Sequence, residues 1–180
     1  MHNAPFYIRC KLMLCLGILL TASKLLSAQR INHRVQSLFI YQFTKNIKWP
    51  PEAVDDTLVI VVFGNSPIVE ELKKMASLKR AAQGRVIKVK QTNTVGDLWG
   101  AHIVYLSASK SRLLNTLVKA LAKQPTLLVT ERDGLARRGA GINFTVLEND
   151  TLRFEVNREV LSQHQLDMSP ELLRLGFEVK

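Results

Sequence analysis

Residues 57–63 read TLVIVVF, an unbroken apolar run rich in β-branched side chains. A strand of this kind has no polar face to offer water. It must be covered on both sides, as strands inside a parallel sheet are. Gly64-Asn65-Ser66-Pro67 follows. A Ser ahead of a Pro suits a helix start, with Ser66 as the cap and Pro67 in the first position. The next stretch, IVEELKKMAS, reads as a helix with Glu70 and Lys74 at i, i+4. The unit then recurs. Arg85 to Lys90 alternates apolar and basic residues, as a half-exposed edge strand does, and His102 to Leu106 is a second buried run. Ser107 to Ser109 form a polar turn and helix cap ahead of a stripe of Leu113, Leu114, Leu117, Val118 and Leu121. Thr126 to Thr130 is a third buried run.

The two ends of this core differ from it. Ile31, Val35, Leu38, Phe39, Phe43 and Ile47 recur at steps of three and four, which predicts a helix over 31–48 with these residues on one face. Trp49-Pro50-Pro51 ends that helix, because proline disfavours helical geometry in the residue before it. Ile142 to Leu147 and Leu152 to Val156 are strand-like, and Glu148-Asn149-Asp150 between them predicts a tight hairpin. Asn157 and Ser169-Pro170 each suit a helix start. The expected fold class is α/β: a parallel-rich mixed sheet flanked by helices on both faces, with a C-terminal antiparallel hairpin.

The first residues do not belong to this pattern. Arg9 and Lys11 precede an apolar run over 12–22, and Leu26-Ser27-Ala28 follows it. The run falls well short of the roughly 20 apolar residues a membrane-spanning helix needs. A basic head, a short greasy core and small residues predict a secretory signal peptide over 1–28, cut after Ala28. Residues 29–180 are then a single domain exported to the periplasm. Cys10 and Cys15 both fall in the leader, and the residues before them, Arg9 and Leu14, do not fit a lipoprotein cut. The exported part therefore has no thiol for a disulfide, a nucleophile or a metal.

The formal net charge is +10. Arg9, Lys11 and Lys24 of the leader carry part of it, and the remaining basic residues are scattered rather than interleaved with aromatics. Nucleic acid is not an expected partner. The exported histidines, His33, His102 and His164, stand far apart with no ligand spacing, so no metal is expected. His33 and His164 read as exposed helix residues, and His102 as a core or boundary residue. No GxSxG elbow occurs, Asp55-Asp56 and Glu70-Glu71 are adjacent pairs pointing apart, and Gly139-Ala140-Gly141 precedes a strand rather than a helix. No catalytic residue and no cofactor are expected.

Two places could bind something. In open α/β sheets ligands sit outside the carboxyl ends of the strands, where Asn65, Ser66, Ser107, Ser109 and Arg132 stand as candidate ligand contacts. Two of these turns run into helix N-termini, which attract anions. The second place is the Trp49-Pro50 corner. Tyr41, Phe43 and Trp49, with Lys45 beside them, are either core anchors or a partner-binding face.

The ordered segments resemble the YfiR family of periplasmic proteins, also called YfiR/HmsC-like. The matching pieces are YQFTKNIKWP at 41–50, VIVVFGNSPIVEEL at 59–72, GRVIKVK at 84–90 and HIVYLSAS at 102–109. LLVTERDGLARRGAGINFTVLENDTLRFEVN at 127–157 and MSPELLRLG at 168–176 complete them. The resemblance implies a signal peptide, one α/β domain that is often dimeric, and no enzymatic activity. It implies a regulator that holds an inner-membrane diguanylate cyclase inactive through the cyclase's periplasmic region. Release then raises cyclic-di-GMP in the cell and favours biofilm. A sensor kinase or other receptor is the alternative partner, with a small-molecule ligand sensed by the domain. Family members can carry disulfides; the exported part of this chain has no cysteine, which removes thiol-based redox control.

Overall fold

The computed structural model describes residues 33–180. The expected leader over 1–28, both cysteines, the expected cut after Ala28 and residues 31–32 of the expected first helix fall outside them. Helix α1 covers residues 33–46. Strands β1 (Ile47–Lys48) and β2 (Thr57–Phe63) follow, then α2 (Ile68–Leu78), β3 (Val86–Thr92) and β4 (Ile103–Leu106). After α3 (Leu114–Leu121) come β5 (Leu127–Thr130), β6 (Ile142–Val146) and β7 (Leu152–Val156). The chain ends with α4 (Arg158–Gln163), β8 (Asp167–Met168), α5 (Pro170–Leu173) and β9 (Phe177–Glu178).

A seven-stranded sheet in the order β3-β2-β4-β5-β6-β7-β9 carries the fold. The pairs from β3 to β6 are parallel, and β6–β7 is the antiparallel hairpin. The expected fold class is what the structure has. Each buried strand sends alternate side chains to opposite faces, so the sheet divides two cores. Leu58, Ile60, Val62, Ile103, Tyr105, Leu127 and Val129 face a larger core built with α1, α2 and the C-terminal helices. Val61, Phe63, Val104, Leu106 and Leu128 face a smaller one covered by Leu114, Leu117 and Leu121 of α3. Burial on both sides is the physical reason these strands read as unbroken apolar runs.

Several local expectations meet a different outcome. The first helix ends at residue 46, and Ile47–Lys48 instead pairs antiparallel with Asp167–Met168, tying the two ends of the domain together. Leu38 is 51% exposed, while Gln36, Ser37 and Thr44 take inward positions on α1. His33 is buried, not exposed. Glu70 pairs with Lys73 rather than Lys74. Ser107 leads into a 3-10 segment, Ala108–Leu113, before α3 begins. The caps are as expected in kind: Asn157 Oδ1 accepts from the Val160 amide and Ser169 Oγ from the Leu172 amide. Ser66 Oγ accepts from the Ile68 amide.

Candidate functional site

The strand order reverses between β2 and β4, because the chain leaves β2 for β3 on one side and returns to β4 on the other. A crevice at such a point is where open α/β sheets bind ligands. Here it is shut. Gly64, with φ 99°, lets the backbone turn directly against Ser107 and Lys110; a Cβ there would overlap Ser107 Oγ and lie 2.6 Å from Lys110 Cγ. Ser107 is buried, and its hydroxyl is 3.0 Å from that of Ser109. Ser66 is occupied with its cap, and Arg132 Nη1 donates to Ser111 Oγ at 3.3 Å. Asn65 is exposed beside them. Five cavities among the described residues are lined by other side chains.

One of these cavities lies next along the sheet, at the carboxyl end of β5. Glu131 lines it. One carboxylate oxygen accepts the Ala108 amide at 2.9 Å, and the other accepts from Gln36 Nε2 at 3.4 Å. The Tyr105 hydroxyl, fully buried, donates to Gln36 Oε1 at 3.2 Å. Burial pushes the Tyr105 hydroxyl well above its ordinary pKa, and the neighbouring Glu131 charge adds to this. The phenol therefore stays protonated and keeps its role as donor. Behind it, Thr130 Oγ1 donates to Asn143 Oδ1 at 2.7 Å, and Asn143 Nδ2 donates to Glu155 at 3.0 Å. These buried groups are paired, as buried polar groups must be.

The cavity in front of this cluster has a volume of about 390 Å³. Its polar lining is His33, Gln36, Glu131, Asp133 and Thr145; Phe144, Val146 and Leu152 form an apolar wall. The sequence pointed to the neighbouring Arg132 and passed over Glu131. The signal present was the triplet Thr130-Glu131-Arg132 at a strand end. The missing signal was Gln36, which reaches the site from a helix far earlier in the chain.

The Trp49 corner divides residue by residue. Phe43 and Trp49 are core, Tyr41 is half-buried and Lys45 is exposed. Phe43 stacks on Phe144 and meets Phe154 edge-on, while Trp49 lies edge-on to His102 and under the Arg85 guanidinium. A partner reaching this corner meets Tyr41 and Lys45. His102, a boundary residue as expected, accepts the Val59 amide at Nδ1 and contacts the Ala53 carbonyl through Nε2 at 2.7 Å. Those partners require the neutral ring with its proton on Nε2. Burial holds its pKa below the ordinary value. Near it, at the amino ends of the strands, Trp99 is 80% exposed beside a second cavity of about 320 Å³. That tryptophan was not singled out in the sequence.

The sequence pattern of the YfiR/HmsC-like family matches residues 33–176. None of the curated proteins matches the chain. Among solved structures, one described as the ABC domain in complex with L-Trp from Streptococcus pneumonia is similar at 9% identity and a TM-score of 0.50. The match covers 69% of this chain and 55% of that one. A conserved domain protein from Vibrio cholerae O1 biovar El Tor is similar at 10% identity and a TM-score of 0.45, with the same coverage. The chain thus spans about half the length of these structures, and at such identities the likeness concerns the fold alone.

Proposed function

Because the chain belongs to the YfiR/HmsC-like family, we propose that it is an exported, non-catalytic regulator that binds an inner-membrane signalling protein of the diguanylate cyclase type. The observation that carries this reading is the family match, which runs through every element from α1 to the turn before β9. The basic head and short apolar run at the N-terminus support export, with processing after Ala28. Among the described residues no helix is long and apolar enough to cross a membrane. Contact with a partner is supported by large apolar side chains left in water: Leu38 and Leu78, which flank one shallow groove between α1 and α2, and Trp99. Burying such side chains against a partner removes apolar area from water, the main driving force of association.

The test is affinity capture of solubilised inner membranes on the exported chain, with cyclic-di-GMP measured in cells with and without the gene. Recovery of a membrane cyclase, with nucleotide levels rising when the gene is deleted, is the expected result. Capture of no membrane signalling protein, with unchanged nucleotide, overturns the reading. Recovery of a sensor kinase instead would move the partner to the second class. N-terminal sequencing of the periplasmic product should begin at Gln29; a cytosolic product that keeps Met1 would remove the export step.

A second reading, small-molecule sensing by the same domain, is favoured by the cavity in front of Glu131.

A further inference from the structure

We propose that the cavity at the carboxyl end of β5 binds a small organic ammonium ion: an alkyl or aryl amine that carries no carboxylate. The proposal deepens the sensing reading and names its ligand class.

The chemistry of the lining selects the ligand. Glu131 and Asp133 bring two carboxylates to one cavity, and no Lys or Arg lines it. Neither carboxylate belongs to an ion pair among the described residues. Thr145 adds a hydroxyl. His33 lines the same cavity at 7% exposure, and its buried Nδ1 has no hydrogen-bond partner among the described residues. A buried polar atom without a partner costs stability unless something binds to it. The lining therefore carries two carboxylates and no cationic side chain to balance them. An ammonium group is the complement, with three N–H donors and a positive charge.

Size and shape narrow the class. A cavity of about 390 Å³ is at the small end of ligand sites. Phe144, Val146 and Leu152 give one side an apolar wall, which fits an alkyl chain or a single ring. A zwitterionic amino acid would bring a carboxylate towards Glu131 and Asp133 with no cation to meet it, since Arg132 donates to Ser111. A metal ion is a poor fit, because no three His, Cys, Asp or Glu side chains among the described residues converge on one point.

Occupancy would also act on the fold. The Gln36–Glu131 contact is long, at 3.4 Å. An ammonium on that oxygen replaces it with a shorter, charged bond and frees Gln36, the residue that ties α1 to Tyr105. A ligand there would act on the seating of α1, whose outer face carries Leu38.

Isothermal titration calorimetry of the purified exported chain near neutral pH tests this, with phenethylamine as the probe and phenylalanine, 3-phenylpropionate and calcium chloride as comparisons. Saturable binding of phenethylamine is expected, with phenylalanine at least about tenfold weaker, the loss one uncompensated charge contact brings. Phenylpropionate and calcium are expected to give no binding. Asp133→Asn, at an exposed position, should weaken the amine about tenfold without touching the fold. No saturation by phenethylamine up to roughly 10 mM, beyond the weakest useful affinities, overturns the proposal. So does equal binding of phenylalanine, binding of calcium, or unaltered affinity in Asp133→Asn. Membrane capture of a signalling partner stands apart from these results, so failure here leaves the regulatory reading to its own test.

Discussion

Replacing Phe43 with alanine separates a core role from a partner role at the Trp49 corner. The ring is fully buried. Its centroid lies 6.0 Å from that of Phe144 in a stacked arrangement and 5.3 Å from that of Phe154 at an interplanar angle of 77°. Phe39 meets the same two rings from one turn earlier on α1. Phe43 therefore helps lock the first helix onto the β6–β7 hairpin. Truncation removes the transfer free energy of the ring and leaves a cavity, a loss of about 3–5 kcal/mol for a buried Phe→Ala change. Each aromatic pair accounts for about 0.5–1.5 kcal/mol of such effects. In a domain of this size each kcal/mol lowers the midpoint by about 2–4 °C, so Phe43→Ala should melt roughly 6–20 °C below the parent. Lys45→Ala, at an exposed position two residues on, should stay within about 0.5 kcal/mol. Thermal unfolding followed by circular dichroism reads both. If Phe43→Ala melts within about 2 °C of the parent and loses membrane-partner capture, the core argument is refuted and the ring serves a partner.

Acid should weaken the fold through His102. Burial, the leading cause, holds its pKa below 6.5 in the native state, so as pH falls the unfolded chain takes up the proton first. The stability this site contributes is complete above 6.5 and declines as pH falls towards the native pKa. Urea midpoints should drop between about pH 7.5 and about pH 5, and His102→Gln should flatten that slope; identical slopes would count against the assignment. Gly64→Ala should cost about 1–3 kcal/mol in chemical denaturation, from backbone strain at a positive φ together with overlap on Ser107 and Lys110. A cost below about 0.5 kcal/mol would show that the β2 turn can open.

The sequence displayed the sheet because burial leaves a mark on local composition. Thr57–Phe63, Leu127–Thr130 and the run before Ser107 are apolar at every position or nearly so, since both sheet faces are covered. The hairpin and the Asn157 and Ser169 caps were equally local. What stayed hidden depends on distant partners. β1 and β8 have two residues each and no periodicity, and they exist because they meet. β9 pairs with β7 only because Gly176 lets the chain lie against Phe154, where a Cβ would come within 2.8 Å of Cδ2. On α1 the apolar stripe was wide enough to be rotated. Gln36 is turned inward by its bonds to Tyr105 and Glu131, and Leu38 faces water. His33 is buried by the same rotation.

The cavity at the end of β5 lies beside the expected ligand contacts and carries the opposite charge. Helix and turn amides at the carboxyl end of a parallel sheet normally await an anion, and the small polar residues there invited that expectation. In this fold the Ala108 amide is met by the chain's own Glu131 at 2.9 Å. Between β2 and β4, Gly64 packs directly against Ser107. With its donors satisfied internally, the strand end presents to solvent the outer side of a carboxylate, and Asp133 adds a second. The same geometry leaves two carboxylates and no cation lining one cavity. A ligand that enters must therefore bring positive charge, whatever the net charge of the chain around it.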